Sequence, residues 1–182
     1  MKSFSLRRIV AVLTTSALLA LGMAATAGPA SAAAAPMRLT FTTTVASAQV
    51  SLPLRGTVTS ITVSWGDGSS TTVTSLPVSH TYALAGTYQV AIGGTALSAF
   101  GSGTTYTAWT GAKYLKSVDD FGTLGTTDFM GAFNGASALT AVPAALPLLV
   151  TNTSNMFNGA TVFNQNISNW NTAYVTTMSG MF

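Results

Sequence analysis

From Met37 onward the chain runs in short stretches where apolar and hydroxyl-bearing residues alternate, the period of two that half-buried strands require. In Ile61-Thr62-Val63-Ser64-Trp65 the apolar side chains take one face and the hydroxyls the other, and Tyr88, Val90 and Ile92 repeat the alternation. These two stretches predict the facing sheets of a small β-sandwich over residues 37–97. Gly66-Asp67-Gly68-Ser69 supplies a turn, since its glycines accept positive φ and its Asp can bind a backbone amide two residues on. Residues 98–114, rich in Gly, Ser and Thr at their start, read as a connector.

Beyond residue 115 the period lengthens. Phe133-Asn134-Gly135-Ala136 recurs as Phe157-Asn158-Gly159-Ala160, and at nearly the same spacing Val150-Thr151 and Met156-Phe157 recur as Val175-Thr176 and Met181-Phe182. A period of about 20–29 residues with apolar positions at fixed offsets predicts a leucine-rich-repeat-type solenoid of short strands and short helical turns, in which each unit buries its face by stacking on its neighbours. In the clearest unit those positions are Phe163, Ile167, Trp170, Val175, Met178 and Met181, with Asn164, Asn166, Asn169 and Asn171 between them. The unit before it carries Pro143 and Pro147, and Thr153 where its successor has Met178, so it reads as a cap. The chain stops at Met181-Phe182, inside the motif, which leads to the expectation that it is a fragment of a longer protein.

The first 36 residues follow neither period. A cationic start (Lys2, Arg7, Arg8), an apolar stretch from Ile9 to about Ala27 and small residues at Ala30-Ser31-Ala32 form a secretory signal peptide, with cleavage expected near Ala32. An uncleaved anchor is the competing reading; Thr14, Thr15, Ser16, Gly22, Gly28 and Pro29 count against it.

The leader changes the meaning of the charge. The chain carries 7 Lys and Arg against 4 Asp, a formal +3. Three of the seven lie in the leader, so Arg38, Arg55, Lys113 and Lys116 stand against Asp67, Asp119, Asp120 and Asp128, and the mature chain is neutral. A neutral chain has no field to attract nucleic acid or anionic lipid, and neither is expected as a partner. Charged residues make up 6% of the sequence, so hydroxyls and amides do the solvating. With no cysteine there is no disulfide framework and no thiolate chemistry.

Candidate chemistry is sparse. Asp67 is distant in sequence from other acids, unlike a calcium loop, and reads as a turn residue. His80, the single histidine, reads as a packed or hydrogen-bonded structural residue. Asp119 and Asp120 are adjacent, so on a strand they would point to opposite faces and not converge on a substrate. No nucleophile elbow, phosphate loop or dinucleotide fingerprint occurs. The expectation is a non-enzyme without metal or cofactor. Asn152-Thr153-Ser154 and Asn166-Ile167-Ser168 fit the N-glycosylation pattern but read as polar turns.

Two resemblances join these pieces. Trp65-Gly66-Asp67-Gly68, His80-Thr81-Tyr82 and Gly86-Thr87-Tyr88-Gln89-Val90 resemble the polycystic kidney disease (PKD) domain, which implies an Ig-like β-sandwich of extracellular proteins. The segment from Met156 to Phe182, with F-N-Q-N-I-S-N-W followed by V-T-T-M-S-G-M-F, resembles the repeat of BspA-like leucine-rich-repeat surface proteins. That family often has acids where this chain has Asn166 and Asn171. The resemblance implies a secreted or cell-surface protein that uses its repeats for adhesion or protein–protein interaction, with an extracellular protein or glycan as partner. The possible interaction surface is Tyr174, Asn166 and Asn171. The alternatives are a carbohydrate-binding or spacer module of a larger secreted enzyme, with Trp109, Trp170 and Tyr174 stacking on sugar, and a structural envelope component.

Overall fold

The computed structural model describes residues 33–182 except Tyr106; the leader and its cleavage position lie outside the described residues. The strands are β1 (Met37–Thr43), β2 (Ala48–Leu52), β3 (Leu54–Thr59), β4 (Thr62–Ser64), β5 (Ser70–Thr72), β6 (Val78–Tyr82), β7 (Gly86–Gly93), β8 (Ala96–Phe100) and β9 (Leu115–Asp120). Helix is confined, among the described residues, to two single 3-10 turns at Gly103–Thr105 and Ala112–Tyr114. The protein is mainly β.

One layer is a five-stranded antiparallel sheet in the order β5-β4-β7-β1-β9. The alternation in β1 buries Met37, Leu39, Phe41 and Thr43, and Val63, Val90 and Ile92 come inward from the neighbouring strands. The other layer is built around the stretch 48–59. Pro53 has no N–H to continue a ladder, and the pairing changes there, β2 pairing with β6 before it and β3 with β8 after it. The stretches around Ile61–Trp65 and Tyr88–Ile92 therefore do not face one another as the alternation suggested. They are neighbours in the same sheet, with Val63 opposite Ile92. Alternation assigns a residue to a face of a sheet and leaves its partner strand open.

Both layers run on into the C-terminal region. Strand β9, from the head of the predicted repeats, pairs with β1, and its Ser117 bridges in parallel to Ala141. In the second layer Ala99 of β8 bridges in parallel to Asp128, Asp128 to Asn152, and Asn152 to Thr177, so that the last two steps each advance by one repeat. Each passage donates backbone hydrogen bonds to the next. The amides of Phe129, Gly131 and Phe133 donate to the carbonyls of Asn152, Ser154 and Met156, and those of Thr153, Asn155 and Phe157 to Thr177, Ser179 and Met181. Between the bridges the chain turns through successive i to i+3 bonds, such as Ala132 to Phe129 and Met156 to Thr153. These segments are turns rather than regular helix. Each passage has a residue in the left-handed region at the same step, Gly131 (φ 66), Asn155 (φ 53) and Gly180 (φ 60), where glycine and asparagine are most at ease; Gly135 and Gly159 repeat the conformation four residues later in the first two.

The side chains repeat with the backbone. Phe133 and Phe157 have ring centroids 5.5 Å apart, and Phe157 and Phe182 5.6 Å, so that a phenylalanine column runs through the stack. At its base Phe133 meets Phe100 of β8 at 6.5 Å. Phe121, just after β9, packs on Phe129, Phe133 and Trp170. One continuous apolar cluster thus extends from Met37 and Trp65 to Phe157 and Trp170. Arg55 of β3 adds a polar tie, donating from Nε to the Gly101 carbonyl at 2.7 Å and from Nη2 to Asp128 at 3.2 Å.

Candidate functional site

The residues that carry the sandwich motif converge on one spot. Trp65 follows β4, β6 supplies His80 and Tyr82, and β7 supplies Tyr88. The rings form a column, Trp65 on His80 (4.9 Å), His80 edge-on to Tyr82 (4.7 Å) and Tyr82 stacked on Tyr88 (3.9 Å). Asp67 sits in the β4–β5 turn, where its Oδ1 accepts from the Ser69 amide at 2.9 Å and the Ser69 hydroxyl at 2.6 Å. Its Oδ2 accepts from His80 Nε2 at 2.7 Å. The Ser69 hydroxyl, with smaller help from the Ser69 amide and His80, holds the Asp67 carboxyl down from 3.8 to about 2. Gly66 (φ 83) is required beside it, because a Cβ there would meet the Gln89 backbone at 2.6 Å.

The polar atoms of this cluster bond to one another and to the backbone of the fold. The Tyr82 hydroxyl donates to the Trp65 carbonyl at 2.9 Å, and burial raises its pKa well above the ordinary phenol value. Trp65 Nε1 donates to Thr71, and the Tyr88 hydroxyl to the Leu84 carbonyl. The cluster fastens three strands and a turn. Asp119 accepts from Thr40 and Ser117, while Asp120 accepts from the Gly122 amide, so the adjacent pair serves separate local bonds. Among the described residues no group of three or more His, Cys, Asp or Glu is placed to hold a metal.

In the stack, the three residues singled out from the sequence lie on the outside. Tyr174 is 60% exposed, and Asn166 and Asn171 are on the surface as well. Both asparagines also shape the turns they occupy, Asn166 Oδ1 accepting from the Ser168 amide and Asn171 Oδ1 from the Ala173 amide. The two tryptophans of the sugar-stacking alternative are engaged within the fold. Trp170 is 7% exposed and donates from Nε1 to the Pro143 carbonyl, and Trp109 donates to the Ala132 carbonyl. Of that trio Tyr174 is exposed, Trp109 half-buried and Trp170 buried.

Two apolar features had no signal at the level of single motifs. A groove of about 640 Å³ lies between the loop after β9 (Phe121, Thr123, Gly125) and the proline-bearing loop (Pro143, Leu146, Leu149), with Leu148 and Leu149 exposed at its edge. At the end of the stack Met178 and Phe182 stand in solvent, Phe182 with 74% of its surface accessible. Their signal in the sequence was the repeat itself, which predicts an apolar residue at those positions whether or not a neighbour covers it.

Residues 24–107 match the family model of the PKD domain, and residues 127–182 match that described as Mycoplasma protein of unknown function, DUF285. The first covers the sandwich motif and the second the stacked turns; neither of the two is a leucine-rich-repeat family. No curated protein and no solved structure matches the chain. Domains of these two kinds are typically extracellular and suggest a protein-interaction module. No helix among the described residues is long and apolar enough to cross a membrane.

Proposed function

We propose that the chain is an exported, non-enzymatic surface protein that uses its stacked turns, a solenoid of leucine-rich type akin to BspA-like proteins, to adhere to an extracellular protein. The observation that carries this reading is the periodic ladder through Asp128, Asn152 and Thr177, which sets hydroxyl and amide side chains in rows and, past the Asp128–Arg55 pair at its base, carries no charged residue through residue 182. Preformed rows of this kind lose little entropy on binding. The sandwich then acts as the base that caps the stack and holds it away from whatever lies on its other side.

The test is binding of the purified chain to immobilised extracellular matrix proteins and to a glycan array. Saturable binding to a protein, weakened at least about fivefold by Tyr174→Ala through loss of an aromatic anchor, supports the reading. Binding confined to glycans, or no binding on either surface, contradicts it.

A further inference from the structure

The few charges outside the leader are unevenly distributed. All four acids of the chain are engaged where they stand, Asp67 with Ser69 and His80, Asp128 with Arg55, Asp119 with the Thr40 and Ser117 hydroxyls, and Asp120 with the Gly122 amide. Lys113 and Lys116 make no ion pair among the described residues, and both line one cavity of about 430 Å³. It opens where sandwich and stack join, between the end of β1 (Thr42, Thr44), the 3-10 turn that carries Lys113 and Tyr114, Lys116 of β9 and the Ser137–Ala138 turn of the first passage.

We propose that this cavity receives an acidic side chain, Asp or Glu, of the partner protein. Two ammonium groups on one cleft attract a carboxylate together, and no acid of this chain lines the cleft to oppose it. Thr44 and Ser137 add hydroxyl donors for the lone pairs that the ammonium groups leave open. A sugar acid fits less well. The Tyr114 ring would be its stacking surface, and Lys113 Nζ already lies over that ring, 5.0 Å from its centroid. The same contact restrains the Lys113 ammonium, so less freedom is lost when a carboxylate binds. This inference rests on the adhesion reading and adds to it the kind of residue that the partner must show.

The probe is a capped hexaglutamate peptide titrated into the full chain, with hexaglutamine as the neutral control. Saturable binding is expected with the first and none with the second, weakened at least about fivefold between about 20 mM and about 200 mM salt because the charges are exposed. The double variant Lys113→Gln, Lys116→Gln should weaken it at least about tenfold, while Lys113→Arg, Lys116→Arg should keep it, which separates lost charge from a disturbed fold. Arg38→Gln removes an exposed cation at the other end of β1 and should leave binding unchanged. An equal loss in Arg38→Gln, or no binding of hexaglutamate, overturns the proposal. So does a hyaluronan tetrasaccharide, a source of uronic acid, that binds more tightly than the peptide. Matrix-protein binding that persists unchanged in the double Gln variant also overturns it and leaves the adhesion reading standing. Hexaglutamate held by a chain that binds no matrix protein supports the site and removes the adhesion reading instead.

Discussion

In the sandwich each contact occurs once, and the ladders join distant residues, Thr43 to Gly86 and Arg38 to Asp120. In the stack the same contact recurs once per repeat, between parallel passages, and each passage is buried by the next. Burial follows from this difference. Trp65, Tyr82 and Phe41 are inaccessible whichever strand they occupy, whereas the column Phe133, Phe157, Phe182 goes from buried to largely exposed along the stack. Specific long-range pairing gives the sandwich a closed core, and repetition makes each passage of the stack depend on its neighbour for burial.

The largest effects should come where the two regions share a core. Trp65→Ala in the sandwich and Phe133→Ala at the base of the stack should each cost about 3–5 kcal/mol, the range for deleting a large buried aromatic side chain. Both should move one urea transition, seen equally by fluorescence and circular dichroism. A Phe133→Ala variant that shows a second transition, with the sandwich unchanged, would break the comparison into two independent domains. Tyr82→Phe should cost about 1–3 kcal/mol, because the buried Trp65 carbonyl loses its donor.

Smaller changes sharpen the contrast. Gln165 lends its side-chain amide to the stack, accepting from the Val142 amide at 2.7 Å and donating to the Val142 carbonyl at 2.9 Å, in place of a backbone rung. Gln165→Ala should lose about 1–2 kcal/mol in the same denaturation assay.

Acid should act on the sandwich first. Asp67 has its carboxyl pKa depressed on folding, so its contribution is full above the unfolded value near 3.8 and is lost as pH falls toward about 2. A melting temperature that declines between those two values, with the decline reduced in Asp67→Asn, is the expected outcome. The smallest effect belongs to the stack's end, where Phe182→Ala should change stability by no more than about 0.5 kcal/mol, as for other exposed positions.

Much of this was legible in the sequence where the signal is local or periodic. The Trp65–Gly66–Asp67–Gly68 turn and its His80 and Tyr82 partners stand in fixed order, and the repeat shows in Phe133, Phe157 and Phe182. Strand partners were not legible, because alternation in 61–65 and 88–92 fixes which face is buried and leaves open that Val63 lies beside Ile92. The role of Leu115–Asp120 as the fifth strand depended on a pairing with β1, far back along the chain. Trp109 and Trp170 offered aromatic surface in the sequence, but their indole N–H groups find carbonyls across the fold that no local pattern encodes. The left-handed step at Gly131, Asn155 and Gly180 was readable in principle, since glycine and asparagine recur there with the period of the repeat. Tyr174, Asn166 and Asn171 fall between the apolar positions of the unit, and their side chains lie on the outside of the stack.

Hydrogen exchange along the stack tests the account most directly. Graded protection is expected, with the amides of Phe129, Gly131 and Phe133 exchanging as slowly as those of β1 and β7, those of Thr153, Asn155 and Phe157 faster, and those of Met178, Gly180 and Phe182 close to the rate of an unprotected chain. Equal protection of all three passages, or a stack that exchanges as a unit while the sandwich stays closed, would contradict a single body in which each passage is held by the next.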